Sequence, residues 1–239
     1  YFLKLAQRVN DGLDACGFVY CPGEAMAGNP QWCQPLAVWD GYFSRWINQP
    51  EPKSLMLASI FFDLRPVFGE HALFEEMQRS ILQKSRKNEL FIAYMANNAL
   101  THRPPLGFFR TFVLIHGGDH DDSFDIKHRG IVPIIDIARV LALSAGVEQV
   151  NTVERLRAAA REGALSREMA ENLEDALGLI SSLRIRHQAG QNAVGQPMDN
   201  YLPPDSLSQL ERKHLKDAFR VIQDMQDVLE NRFQAGRLG

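Results

Sequence analysis

Apolar residues recur at helical spacing along most of this chain, and the interruptions mark its elements. Phe2, Leu3, Ala6, Val9 and Leu13 predict a helix over residues 1–15, which Cys16-Gly17 ends. Phe18–Tyr20 reads as a short strand, and Pro22–Pro30 as a loop rich in turn formers. Leu36, Trp39, Phe43, Trp46 and Ile47 form the apolar stripe of a helix over Gln34–Asn48, which the Pro50-Glu51-Pro52 break stops. Ser54–Leu64 reads as a central strand with its lead-in. From His71 the pattern is helical: Leu73, Met77, Ile81 and Leu82 begin it, and Phe91–Leu100 continues it to Arg103-Pro104-Pro105. Phe108–His116 fits a strand by composition and a helix or extended segment by context, and Gly117–Asp122 is a turn.

The second half reads as helices throughout. One spans the 130s to Gly146, one starts at Asn151 or Thr152, and one starts at Ser166 and closes near Gln188. Gly190–Pro204 is a loop. Ser208 and Glu211 have capping-box spacing at the head of a last helix, Gln209 to Phe233.

Composition narrows the classes. The 239 residues are 45 % apolar, enough for a sizeable core in one large domain or two ordinary ones. A net charge of −3 gives no reason to expect nucleic acid. Cys16, Cys21 and Cys33 make neither a zinc pattern nor an even disulfide set, which fits a reducing compartment. No run is apolar enough to predict a membrane span.

Two segments offer chemistry. In Ile60–Pro66, read as a strand, Asp63 shares a face with Phe61, opposite Phe62 and Leu64. A carboxylate there needs a positive partner. That partner is Arg65 in an ion pair, or a metal ion that makes Asp63 a catalytic ligand; an Asp capping the turn before Pro66 is the third reading. In Phe124–Arg139, the cations Lys127, His128 and Arg129 flank Gly130, with Asp136 further along the helix. They form either a solvated loop or a phosphate-binding turn. His128 has no companion at metal spacing. Arg184, His187 and Gln188 share a helical face; the helix dipole explains their placement, and so does a substrate-facing patch.

The stretch Cys16–Pro30, followed by a Trp-rich helix and then by Ile60–Arg65, resembles nucleotidyltransferases of bacterial signalling proteins. That family lies in the DNA polymerase beta-like superfamily, near the enzymes that uridylylate PII proteins or adenylylate glutamine synthetase. The segment around Lys127 and Gly130 resembles a Lys-x-Gly…Asp stretch in the helical half of those enzymes. The resemblance implies an α+β, mostly α chain. Residues 1–75 would be the C-terminal part of a mixed-sheet nucleotidyltransferase-like domain, and 76–239 an antiparallel helical bundle that binds substrate.

By the same resemblance, Asp63 is the third catalytic carboxylate and a magnesium ligand. Lys127, Arg129, Asp136, Arg184 and His187 meet phosphate or substrate, and Glu24 and Asn29 line the cleft loop. The family's Gly-Ser motif and Asp-x-Asp pair are missing. Asp119, Asp121 and Asp122 follow a Gly-Gly turn far downstream instead. The first catalytic half then lies upstream, beside cyclic-nucleotide-binding or CBS modules, or the chain is a degenerate pseudoenzyme. Two functions follow. One is cytoplasmic transfer of NMP from an NTP to a protein or small-molecule hydroxyl, with two magnesium ions. The other is a non-catalytic regulatory module for a signalling partner.

Overall fold

Proline at the first turn of a helix costs no hydrogen bond and presets the backbone, and Pro52 does this at the head of α3 (Pro52–Phe61). This helix replaces the strand expected over Ser54–Leu64. Leu55, Ala58, Phe61 and Phe62 are buried, a spacing of three that suits a helix and not an alternating strand. The Phe62 amide still donates to Ala58 at 2.8 Å, and Asp63 follows in the closing turn. Phe18–Tyr20, the other expected strand, forms no strand, and Phe18 is 70 % exposed. Residues 1–75 therefore contain helices and turns and no sheet.

The computed structural model describes residues 1–107, 109 and 111–235. Among them the helices before the middle of the chain are α1 (Phe2–Ala15), α2 (Leu36–Asn48), α3, α4 (His71–Arg86) and α5 (Glu89–Ala99). Asn88 separates α4 from α5: its side chain caps the Phe91 amide at 2.9 Å and donates to the Ile47 carbonyl at 3.0 Å. Leu106 bridges Phe112, and Ile115 pairs with Ser123 across the 116–122 turn. Phe108 and Arg110, inside the ambiguous 108–116 segment, lie outside the described residues.

The rest is α6 (Val132–Ala145), α7 (Thr152–Arg161), α8 (Arg167–Ala193) and α9 (Gln209–Phe233). Strands β1 (Phe124–Asp125) and β2 (Tyr201–Leu202) pair antiparallel, Phe124 with Leu202 and Asp125 with Tyr201. The chain is thus mostly α with a small sheet, as expected, but the sheet lies in the second half. Asn151, Ser166 and Ser208 cap their helices as predicted, and Ser208 with Glu211 closes a full capping box. Gly146 ends α6 in the left-handed conformation, φ 74°. Helix α8 runs past Gly190 to Ala193, so the predicted loop starts later.

One continuous core joins these elements apart from α1. It runs from Trp32 and Phe43 through Phe61, Phe91 and Ile137 to Phe219 and Leu229. Trp32 packs on Phe61, with ring centroids 4.6 Å apart, and its indole nitrogen donates to the Glu24 carbonyl at 3.0 Å. That bond ties the Pro22–Pro30 loop to the end of α3. No helix among the described residues is long and apolar enough to cross a membrane.

Candidate functional site: a polar track from Asp63 to the β ribbon

Helix α3 ends where α6 and α7 pass, and this places Asp63 between two arginines. Arg139 donates to Asp63 through Nε at 3.2 Å and Nη2 at 2.6 Å. Arg155 donates through Nη1 at 2.5 Å, and its Nη2 reaches the Phe62 carbonyl at 2.9 Å. Both guanidiniums are buried, whereas the Asp63 side chain is 38 % exposed. Arg65, the partner expected from the sequence, is exposed and makes no ion pair among the described residues. An arginine two positions along would have shared a strand face with Asp63. With Asp63 in a helix-closing turn, that argument lapses.

Arg139 also donates to Asp136, one turn earlier on α6. Burial pushes the Asp63 carboxyl up, but hydrogen bonds and charge from Arg139 and Arg155 outweigh it and hold it below its usual value. Burial raises the Asp136 carboxyl, and here Arg139 only partly offsets it. His102 also favours ionised Asp136. The His102 ring lies 5.7 Å from that of His128, and His128 Nδ1 meets Asp125 Oδ2 at 2.7 Å. Through the charge of His102, the Asp63 network thus extends towards β1.

Lys127–Ile131 is a π-helical turn leading into α6. Asp125 starts it: Oδ1 accepts the amides of Lys127 at 3.0 Å and His128 at 2.9 Å. Gly130 sits in tight contact. A Cβ there would lie 3.0 Å from Ile180 and 3.4 Å from Phe219. The turn is therefore seated directly on α8 and α9. Arg129 donates through Nε to the Arg103 carbonyl at 3.0 Å.

The β1–β2 ribbon brings the second predicted patch to the first. The Ile126 amide donates to the Asn200 carbonyl at 2.9 Å, and the Asn200 side chain accepts Arg184 Nε at 2.6 Å. His187 meets Asp199 at 3.0 Å and lines a recess of about 300 Å³ with Leu183, Gln191 and Leu202. Burial raises the Asp199 carboxyl, but bonds from His187, the Tyr201 amide and Gln191 prevail and lower it.

Among the described residues, no hydrogen bond or ion pair joins Glu24 or Asn29 to the charged groups of this track. Their loop is closed on itself, with Asn29 Nδ2 donating to the Glu24 carbonyl at 3.3 Å. Arg139 and Arg155 were missed in the sequence. Arg139 is a lone charge in the apolar stretch Ile137-Ala138-Arg139-Val140-Leu141, which was the available signal, whereas Arg155 stands between the charges Glu154 and Arg157 and offered none.

The donor set at Asp63 does not fit a magnesium ion. Both carboxylate oxygens already serve guanidiniums, and a cation there would meet two positive charges at contact distance. Among the described residues, the histidine and carboxylate groups close enough together to hold a metal ion are His116, Asp121 and Asp122, exposed on the 116–122 turn.

Residues 89–233, more than half of the chain, match the family described as "Putative nucleotidyltransferase substrate binding domain". The chain belongs to that family. Residues 1–53 match a second description, "Putative nucleotidyltransferase DUF294". Comparison with curated proteins and with solved structures finds no match. The substrate-binding match holds Lys127, Arg129, Asp136, Arg184 and His187, and stops short of Asp63.

Proposed function

We propose that this chain is the substrate-holding part of a nucleotidyltransferase that moves NMP from an NTP to a hydroxyl group. Its phosphate-binding face is the Lys127–Arg129 turn with the adjoining ribbon. One observation carries this. Among the described residues, the part-buried lysines and arginines without a carboxylate partner are Lys127, Arg129, Arg184 and Lys216. All belong to one neighbourhood. Lys127 and Arg129 are in the turn, and Arg184 reaches it through Asn200. Lys216 lies over the Phe112 ring, 5.0 Å from its centroid, and Phe112 stacks on Phe124 of β1. Partly desolvated cations without acids favour a ligand that brings its own negative charge.

In this reading Asp63 is a joint and not a metal ligand: it locks the end of α3 to α6 and α7. The carboxylates that hold magnesium for the reaction come from outside this network. The acceptor is a protein or small-molecule hydroxyl in a signalling pathway. The deciding experiment is calorimetric titration of the chain with each of the four NTPs, with and without Mg²⁺. One NTP binding wild type and about 10-fold more weakly to Lys127→Met supports the reading, since charge-assisted bonds are worth about 1.5–3 kcal/mol. Equal affinity in wild type and variant overturns it.

A second reading, a protein-interaction module, has its own observation. Helix α1 has no buried residue, and Phe2, Leu5, Val9 and Leu13 are 71, 48, 52 and 48 % exposed. An apolar helical face of this kind fits a macromolecular partner. Failure of all four NTPs to bind favours this reading.

A further inference from the structure

We infer that Lys127 and Arg184 form a single polyphosphate clamp, one cation from the turn after β1 and one from α8 beside the residue that precedes β2. This rests on the substrate-holding reading above and assigns α8 a direct part in it.

The ribbon brings the two cation-bearing segments together at a single residue, Asn200. Asn200 accepts Arg184 Nε on its side chain at 2.6 Å, and its carbonyl accepts the amide of Ile126, which precedes Lys127, at 2.9 Å. Gln188 also donates to the Asn200 side chain, at 3.3 Å, so Asn200 is held from α8 by two residues. Arg184 uses Nε for this bond, and its terminal amino groups have no carboxylate. A guanidinium anchored at Nε presents the planar edge that pairs with two phosphate oxygens, while a lysine is a compact point charge.

The nearby acids do not neutralise these cations. Asp125 is taken by His128 at 2.7 Å and by two backbone amides. Asp199 is taken by His187 at 3.0 Å and by the Tyr201 amide at 2.9 Å. Each carboxylate beside the ribbon is thus satisfied by a histidine and main chain, which leaves Lys127 and Arg184 for an outside anion. Two separate cations, one of them a fork, match adjacent phosphates. The ligand class is therefore a di- or triphosphate and not a monophosphate.

The test is calorimetry of the 239-residue chain with inorganic tripolyphosphate, pyrophosphate and phosphate. One site is expected, with tripolyphosphate bound at least about 10-fold more tightly than phosphate. Lys127→Met and Arg184→Met should each weaken tripolyphosphate by about 10-fold or more at unchanged stoichiometry. Wild-type affinity in Arg184→Met with loss in Lys127→Met overturns the clamp and leaves the Lys127 site standing. Wild-type affinity in both, or no binding of tripolyphosphate, overturns the clamp and the reading beneath it. Should Arg184→Met not fold, Asn200→Ala keeps the charge and removes its anchor. Weaker tripolyphosphate binding in that variant supports the clamp, and unchanged binding overturns it.

Discussion

Arg139 Nη2 donates to Asp63 Oδ2 at 2.6 Å, joining residues 76 positions apart. The same guanidinium holds Asp136, so one buried arginine serves two acids of opposite behaviour. Arg155 completes the set from α7. The network fastens the N-terminal helices to the helical half.

Asp63→Asn should cost stability. It removes the charge facing two buried arginines, and breaking such a pair costs about 3–5 kcal/mol when fully buried. Asp63 is 38 % exposed, so about 2 kcal/mol is expected after screening. Urea unfolding followed by circular dichroism measures it. A variant as stable as wild type removes Asp63 from the joint.

The two acids should respond to pH with opposite sign. The folded Asp63 carboxyl titrates below its usual value. Its stabilisation is complete above the unfolded value of about 3.9 and disappears as pH falls through the lower folded one. The folded Asp136 carboxyl titrates above that value, so its contribution is complete below about pH 3.9 and is lost as pH rises through the raised one. Relative to wild type, Asp136→Asn should gain stability as pH rises from acid towards neutral, and Asp63→Asn should lose it. Unfolding free energies across that range show whether the curves diverge.

Gly130→Val should unseat the phosphate-facing turn. A Cβ at 3.0 Å from Ile180 forces overpacking, for which about 1–3 kcal/mol is typical. Thermal unfolding should show the loss, with Gly130→Ala milder. A valine variant as stable as wild type means that α8 gives way freely.

Gln226 ties α9 to the end of α5. Its fully buried side chain donates to the Ala99 and His102 carbonyls, each at 2.9 Å. Gln226→Leu leaves both carbonyls without that donor, at a cost of about 1–3 kcal/mol. Faster exchange of amides near the α5 terminus should accompany it. Unchanged stability would show that the carbonyls find other donors.

Much of the helical order was legible because caps and apolar stripes are local. Asn151, Ser166 and the Ser208–Glu211 box act within one turn of themselves. The α3 segment was misread because Ile60-Phe61-Phe62 fits a strand by composition, while Pro52 at the first helical turn decided otherwise. Grouping of the cations Lys127 and Arg129 was visible along the chain. The link between their turn and Arg184 was not, because it depends on Asn200 and a two-residue ribbon. The partners of Asp63 were hidden likewise, since Arg139 and Arg155 lie 76 and 92 positions away.

That ribbon has a kinetic consequence. Ile126 and Asn200 are separated along the chain by α6, α7 and α8, and closing so long a loop is slow. The cationic face should therefore mature late in refolding, after the helices around it. Protection of the Ile126 amide in pulsed hydrogen exchange should lag behind that of the α6 interior, timing the moment when the binding face becomes competent.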